Sequence, residues 1–214
     1  MSTVHLVRHG HVHNPDKILY GRLPQFRLSD AGEAMARAVA EYFVEQGTDV
    51  GRVVASPLLR AQQTAAPIAD AFGLTVDEDD RLIEAANLYE GRPIQSGAKD
   101  FAHPRNWWML RNPFLPSWGE PYTEQRERMW HAILAAARQT PNQDSVLISH
   151  QLPIWVARLS YERRRFVHDP RSRDCALASV TSFEIVDGAA VGMTYATPAA
   201  HIPVPGAKTS GSTP

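Results

Sequence analysis

At 214 residues, with 43% hydrophobic and 21% charged side chains, the chain carries enough apolar material for one large α/β domain, and this composition excludes disorder throughout. A formal net charge of -1 removes any global electrostatic reason to expect nucleic acid or an anionic membrane as partner, so anion binding has to be local. Cys175 is the only cysteine, which excludes an intramolecular disulfide and a cysteine-based metal cluster and suits a reducing compartment, with the cytoplasm as the expected location.

The N-terminus lacks the apolar core and cleavage site of a signal peptide, and no later stretch approaches the roughly 20 apolar residues of a membrane span. Thr3 to Val7 is rich in β-formers and runs into Arg8-His9-Gly10, a strand leading into a loop. A helix is expected from Ser29 or Asp30, either able to cap, with Glu33 placed to complete a capping box on Asp30. Ala34, Ala38, Val39 and Phe43 recur at helical spacing, and Gly47 marks the stop.

Arg52 to Ala55 reads as a second buried strand, followed by Ser56-Pro57 and a helix from about Leu58 to Phe72, closed by Gly73. Residues 75 to 92 read as two short extended pieces around a charged turn at Glu78 to Arg81. Thr123 to Arg138 is helical. Ser145 to Ser149 is a third strand, with a helix from Leu152 to Arg164 beyond it. Val180 to Val186 and Ala190 to Ala196 form a hairpin about Asp187-Gly188, and the residues from 197 to 214 are expected to be a flexible tail. The domain is therefore expected over 1–196, a three-layer sandwich with a mainly parallel sheet and helices on both faces.

In such sheets ligands bind where strands end and helices begin. Each strand-to-helix passage carries a residue suited to phosphate chemistry: Arg8 and His9, then Arg60, then His150. A neutral His9 imidazole can act as nucleophile, and nearby arginines disfavour its protonation. Arg8 and Arg60 offer planar donors that match phosphate oxygens, His150 adds another donor, and amides near Leu58 can add more. Any one of these histidines or arginines alone reads more simply as an ordinary core or surface residue. Their joint placement at one end of three strands is what points to a site.

These residues lie in a series of blocks. Leu6-Val-Arg-His-Gly10 resembles the Arg-His-Gly signature of the histidine phosphatase superfamily, which includes cofactor-dependent phosphoglycerate mutases. Leu28-Ser-Asp-Ala-Gly32, Ser56-Pro-Leu-Leu-Arg-Ala-Gln-Gln-Thr-Ala65, Leu82-Ile-Glu84 with Tyr89-Glu-Gly91, and Ile148-Ser-His150 resemble its further blocks in order. The resemblance implies a phosphoglycerate mutase-like fold, a phosphoryl group carried on His9, and Arg8, Arg60 and His150 binding that group. It implies Glu84 as general acid, ahead of the clustered carboxylates Glu78, Asp79 and Asp80. No cofactor or metal is implied, and the expected partner is a small phosphorylated metabolite.

The chain departs from the family pattern around the substrate. His11 and Val12 replace an acidic or amide residue followed by Thr, Asn14 comes one position early, Gln151 replaces a Gly, and the acidic block is about one residue shorter. Asn14, Tyr20, Gly21 and Gln151 are the candidate substrate contacts. The reaction implied is phosphomonoester hydrolysis, with a phosphoglycerate mutase as the alternative. A metal-dependent hydrolase is a further alternative, because His9, His11 and His13 would share one face of an extended segment. A non-catalytic binding module is the last.

Residues 92–122 hold Trp107, Trp108, Phe114, Trp118 and Tyr122 with Arg105 and Arg111 between them, expected to form a lid, a satellite core or the contact of a homodimer. Arg158, Arg163-Arg-Arg165, Arg171 and Arg173 can steer an anion, or simply solvate a helix end. Cys175 is expected to be a buried small residue.

Overall fold

The computed structural model describes residues 2–87, 90–93, 119–169 and 172–204. Strands β1 (Ser2–Arg8), β2 (Val50–Ala55), β3 (Val76–Glu78), β4 (Asp144–Ser149), β5 (Val180–Val186) and β6 (Ala189–Ala196) form one sheet in the order β3-β2-β4-β1-β5-β6. The first four are mutually parallel, while β5 and β6 join antiparallel at one edge. Helices α1 (Asp30–Glu45), α2 (Leu59–Ala71), α3 (Tyr122–Gln139) and α4 (Gln151–Tyr161) cover it.

Alternation along each strand divides the core in two. Leu6, Val54 and Leu147 face Met129 and Ile133 of α3 and Trp155 of α4, whereas Val7, Val53 and Ile148 face Val39 and Phe43 of α1 and Ile68 of α2. A sheet buried on both faces reads as continuous apolar runs, as β1, β2 and β4 do. The expected three-layer architecture is what forms. At Asp187-Gly188 both residues have positive φ, 50° and 77°, the backbone of a two-residue turn whose twist matches its strands.

Three expectations need correction. Ser29, not Asp30, caps α1: its Oγ accepts from the Gly32 amide at 3.1 Å, so the third helical position is Gly32 and no capping box with Glu33 forms. Among the described residues between 75 and 92, only β3 is a strand. A short 3-10 turn (Asp80–Leu82) follows it, because the Asp79 side chain accepts from the Arg81 amide and turns the backbone out of the sheet. The chain also keeps packing beyond 196. Ala199 is buried, and Ile202 and Val204 lie against the core beneath α1 and α2, so these apolar side chains anchor the segment up to 204. The aromatic residues Trp107, Trp108, Phe114 and Trp118 lie outside the described residues, as does Tyr89.

Candidate active site

Register alone brings the two histidines together. Arg8 pairs with Ser149 across β1 and β4, so the next residues, His9 and His150, leave adjacent parallel strands side by side, with ring centroids 5.1 Å apart. Ala55 pairs with Ile148 on the other side of β4, which places Ser56 against His150, Oγ to Nε2 at 2.8 Å. The Ser149 hydroxyl donates to the Leu82 carbonyl at 2.7 Å and so ties the segment carrying Glu84 to the same end of the sheet. All five of the expected catalytic side chains therefore converge.

The loop that carries His9 is held by backbone contacts. The Gly10 amide donates to Thr64 Oγ1 at 3.1 Å, and Thr64 in turn donates to the Arg60 carbonyl. A Cβ on Gly32 would stand 2.0 Å from the His11 carbonyl oxygen, so the first turn of α1 can lie against this loop only with glycine at that position. Ser29 and Gly32 thus join two of the sequence blocks physically, one by capping and one by making room.

His9 is 2% exposed. Its Nδ1 lies 2.8 Å from the Gly10 carbonyl oxygen, which can only accept, so Nδ1 carries the proton and Nε2 keeps the lone pair. Burial, followed by the charges of Arg60 and Arg8, holds the imidazole well below its ordinary pKa, against the opposing pull of the Gly10 carbonyl. His150 is likewise held well below, by burial, then His9 and Arg60. A Ser56 hydroxyl that donates to Nε2 leaves the His150 proton on Nδ1.

Arg60 has no exposed surface. Its guanidinium donates to the Gly21 and Leu23 carbonyls at 2.5 and 3.4 Å and lies 4.8 Å from the Tyr20 ring centroid, a cation–π contact. Arg8 donates to the Cys175 carbonyl at 2.6 Å. Among the described residues, three buried polar atoms around His9 have no protein hydrogen-bond partner: Arg8 Nε, Arg60 Nε and His150 Nδ1. Buried polar groups are ordinarily paired, and a cluster of orphaned donors at one locus is the arrangement expected of an anion site.

Burial raises the Glu84 carboxyl above the usual carboxylate range, only partly offset by the Ala85 amide that donates to it at 2.8 Å and by Arg60 and Arg8. The rival Asp79 moves the opposite way. Burial would raise it, but its hydrogen bonds with Arg81 and the charge of that arginine prevail. A group that must hold a proton near neutrality fits Glu84 and not Asp79.

A cavity of about 550 Å³ opens on this cluster, lined by Arg8, His9, Tyr20, Gly21, Glu84 and Gln151 and, at greater reach, by Tyr122, His168 and Arg173. Tyr20, Gly21 and Gln151 thus stand where substrate contacts were expected. Asn14 does not. Both ends of its amide bond the Ile18 backbone, at 2.8 and 2.9 Å, closing its own loop. The histidine alternation separates as well, since 9–13 is not a strand: His9 is in the site, His11 bonds Ser29 Oγ at 2.7 Å, and His13 is exposed. Among the described residues no group of three or more His, Cys, Asp or Glu is placed to share a metal ion.

A family model described as histidine phosphatase superfamily (branch 1) matches residues 4–196. The chain belongs to the histidine phosphatase superfamily. It is 53% identical over 200 residues to the uncharacterized protein Rv0525 of Mycobacterium tuberculosis, covering 93% of this chain and 98% of that one. It is 34% identical over 159 residues to a probable phosphoglycerate mutase, GpmB, of Yersinia pestis, covering 72% of each. Among solved structures, a mycobacterial glucosyl-3-phosphoglycerate phosphatase, Rv2419c, complexed with VO3 superposes with a TM-score of 0.73 at 22% identity, over 90% of this chain and 96% of that one. A phosphoserine phosphatase of Entamoeba histolytica in complex with phosphoserine gives 0.73 at 19% identity, over 92% and 98%. At these identities the structures establish the shared fold.

Within this member of the superfamily, several contributors went unassigned in the sequence. Ser56, Thr64 and Ser149 sit inside recognised blocks, yet only the packing of β4 against its neighbours and of α2 against the His9 loop reveals that they hold His150, the His9 loop and the Glu84 segment. The Glu84 backbone also has a clamp. Arg22 Nε donates to the Glu84 carbonyl at 2.7 Å, Arg128 Nη1 donates to the Arg81 carbonyl at 2.6 Å, and Glu120 pairs with both guanidiniums at 2.9 and 2.6 Å. Glu120→Gln leaves two partly buried guanidiniums short of a carboxylate. It is expected to cost about 2 kcal/mol in denaturant unfolding and to lower kcat by loosening Glu84, whereas an unchanged unfolding midpoint and kcat count against the clamp. Among the described residues no helix is long and apolar enough to cross a membrane.

Proposed function

We propose that this superfamily member hydrolyses a small phosphomonoester through a phosphohistidine on His9. The observation that carries the reading is the His9 tautomer: Nδ1–H committed to the Gly10 carbonyl, and Nε2 free on a ring that lines the cavity. Nε2 attacks phosphorus and the bond to the ester oxygen breaks. Glu84 passes its proton to that oxygen, so the product leaves as an alcohol. Arg8, Arg60 and His150 stabilise the equatorial oxygens through the donors that have no partner among the described residues. In the second step water attacks phospho-His9 and gives its proton to Glu84 carboxylate, which releases phosphate and restores both residues.

Similarity to the probable phosphoglycerate mutase supports a second reading, in which a hydroxyl of a bound phosphoglycerate replaces water as acceptor. Both readings share the first step. Incubation with phosphoglycerates and a panel of phosphate esters separates them. Free phosphate as the main product is the outcome expected of a phosphatase, and isomerised phosphoglycerate without net phosphate release would establish the mutase instead.

A further inference from the structure

A buried polar atom on the cavity wall has no part in the chemistry above. Gln125 of α3 is 1% exposed and lines the same space as His9 and Glu84, next to Tyr122 on the same helix face. Its Nε2 donates to the Glu120 backbone carbonyl at 2.8 Å, and that carbonyl, which can only accept, fixes which way the amide is turned. Oε1 is left with no hydrogen-bond partner among the described residues. The tether is itself held, because the Glu120 amide donates to the Ala86 carbonyl at 3.2 Å and the Glu120 carboxylate pairs with Arg22 and Arg128.

Polarity separates this atom from Arg8 Nε, Arg60 Nε and His150 Nδ1. Those are donors gathered around His9, where phosphoryl oxygens belong, whereas Gln125 Oε1 is an acceptor. A phosphoryl or carboxylate oxygen would be repelled by it, and an alkyl group would leave it buried and unpaired, at a cost in free energy. An O–H or N–H satisfies it. An ammonium brings a full charge and three N–H groups, of which one neutral amide oxygen covers one, to a wall that already carries Arg8 and Arg173. A hydroxyl brings a single O–H, and one acceptor meets its need as a donor.

We infer that Gln125 is a specificity-determining residue whose Oε1 accepts from a hydroxyl on the organic part of the substrate, so that polyol and sugar phosphates are favoured over alkyl phosphates of equal length. The inference rests on the phosphomonoester reading, which seats the phosphoryl group at His9. Two arms keep the ideas separable: binding, which needs no turnover, and hydrolysis.

The probes are pairs matched in length: glycerol 3-phosphate with propyl phosphate, ribitol 5-phosphate with pentyl phosphate, and mannitol 1-phosphate with hexyl phosphate. Aminopropyl phosphate tests the ammonium. Ratios of kcat/KM within each pair are measured on the full-length chain with Gln125, Gln125→Leu and Gln125→Met, and dissociation constants by calorimetry on the same three proteins carrying His9→Ala, which prevents turnover. In at least one pair the Gln125 protein is expected to favour the polyol by on the order of 10-fold, and both substitutions should bring that ratio close to one. Absence of any preference for a polyol in the Gln125 protein overturns the proposal. So does a ratio that survives in both variants while all ligands weaken equally, which makes Gln125 only a tether for the Glu120 backbone. A preference for aminopropyl over glycerol 3-phosphate that both substitutions remove replaces the hydroxyl with an ammonium. Circular dichroism on each variant guards against misfolding. If the binding preference behaves as stated but no ester is hydrolysed, the phosphatase reading fails while the subsite stands.

Discussion

Replacing His9 with alanine is expected to lower turnover of any accepted ester by on the order of 10^4-fold or more and to abolish acid-labile phosphate on the protein. Its neighbour His150 does not take over: it is fully buried, and with Nε2 engaged by Ser56 it offers a donor at Nδ1 and no free lone pair for attack. The fold should tolerate the change, because among the described residues the His9 side chain makes one hydrogen bond, to the carbonyl of the next residue, while the loop is held by the Gly10 amide and Thr64. The measurement is a rapid quench with labelled substrate, followed by acid and base treatment. A phosphohistidine is lost in acid and survives base. Label that persists in the His9→Ala protein, or turnover within tenfold of wild type, would overturn the assignment.

Glu84→Gln is expected to separate substrates by leaving group. An alkyl phosphate departs as a strongly basic alkoxide and needs the proton, so its kcat/KM should fall by about 10^2- to 10^4-fold. Nitrophenyl phosphate leaves without help, so phosphorylation of His9 should proceed nearly unimpeded. Water attack then lacks its base, and the variant should release a burst of nitrophenolate and stall as phosphoenzyme. The pH profile follows from the two opposite shifts. Because His9 is held below its ordinary value, the nucleophile stays unprotonated into mildly acidic solution. Because Glu84 is raised, it keeps its proton above the usual carboxylate range and loses it as pH climbs through the raised value. The alkaline fall in kcat/KM for alkyl esters, corrected for substrate ionisation, should therefore disappear in Glu84→Gln. Equal losses for both kinds of ester would remove Glu84 from the role of acid.

Sequence alone determined the superfamily and most of the architecture. Strand and helix periodicities are local, so β1, β2, β4 and the terminal hairpin fell within a few residues of their observed limits. The five candidate residues were legible because the proposed phosphoryl transfer demands particular side chains and each sits next to the end of an element. Periodicity does not say which strands become neighbours. That β4 inserts between β1 and β2 is a long-range pairing, and it alone sets His9 beside His150 and lends Ser56 and Ser149 their roles.

Local backbone demands misled in smaller ways. Asp30 and Ser29 have similar capping chemistry, and the contact of Gly32 with the His11 carbonyl decided for Ser29. Asn14 has the chemistry of a ligand contact but satisfies its own turn. Ala199, Ile202 and Val204 are too few and too spaced to signal burial, yet they find the core beneath α1 and α2. Arg173 shows the limit most clearly. In sequence it is one arginine among several near a helix end, indistinguishable from its solvated neighbours. Only the fold turns it into the cavity and fixes it on His168, because a side chain's exposure depends on what distant segments pack around it.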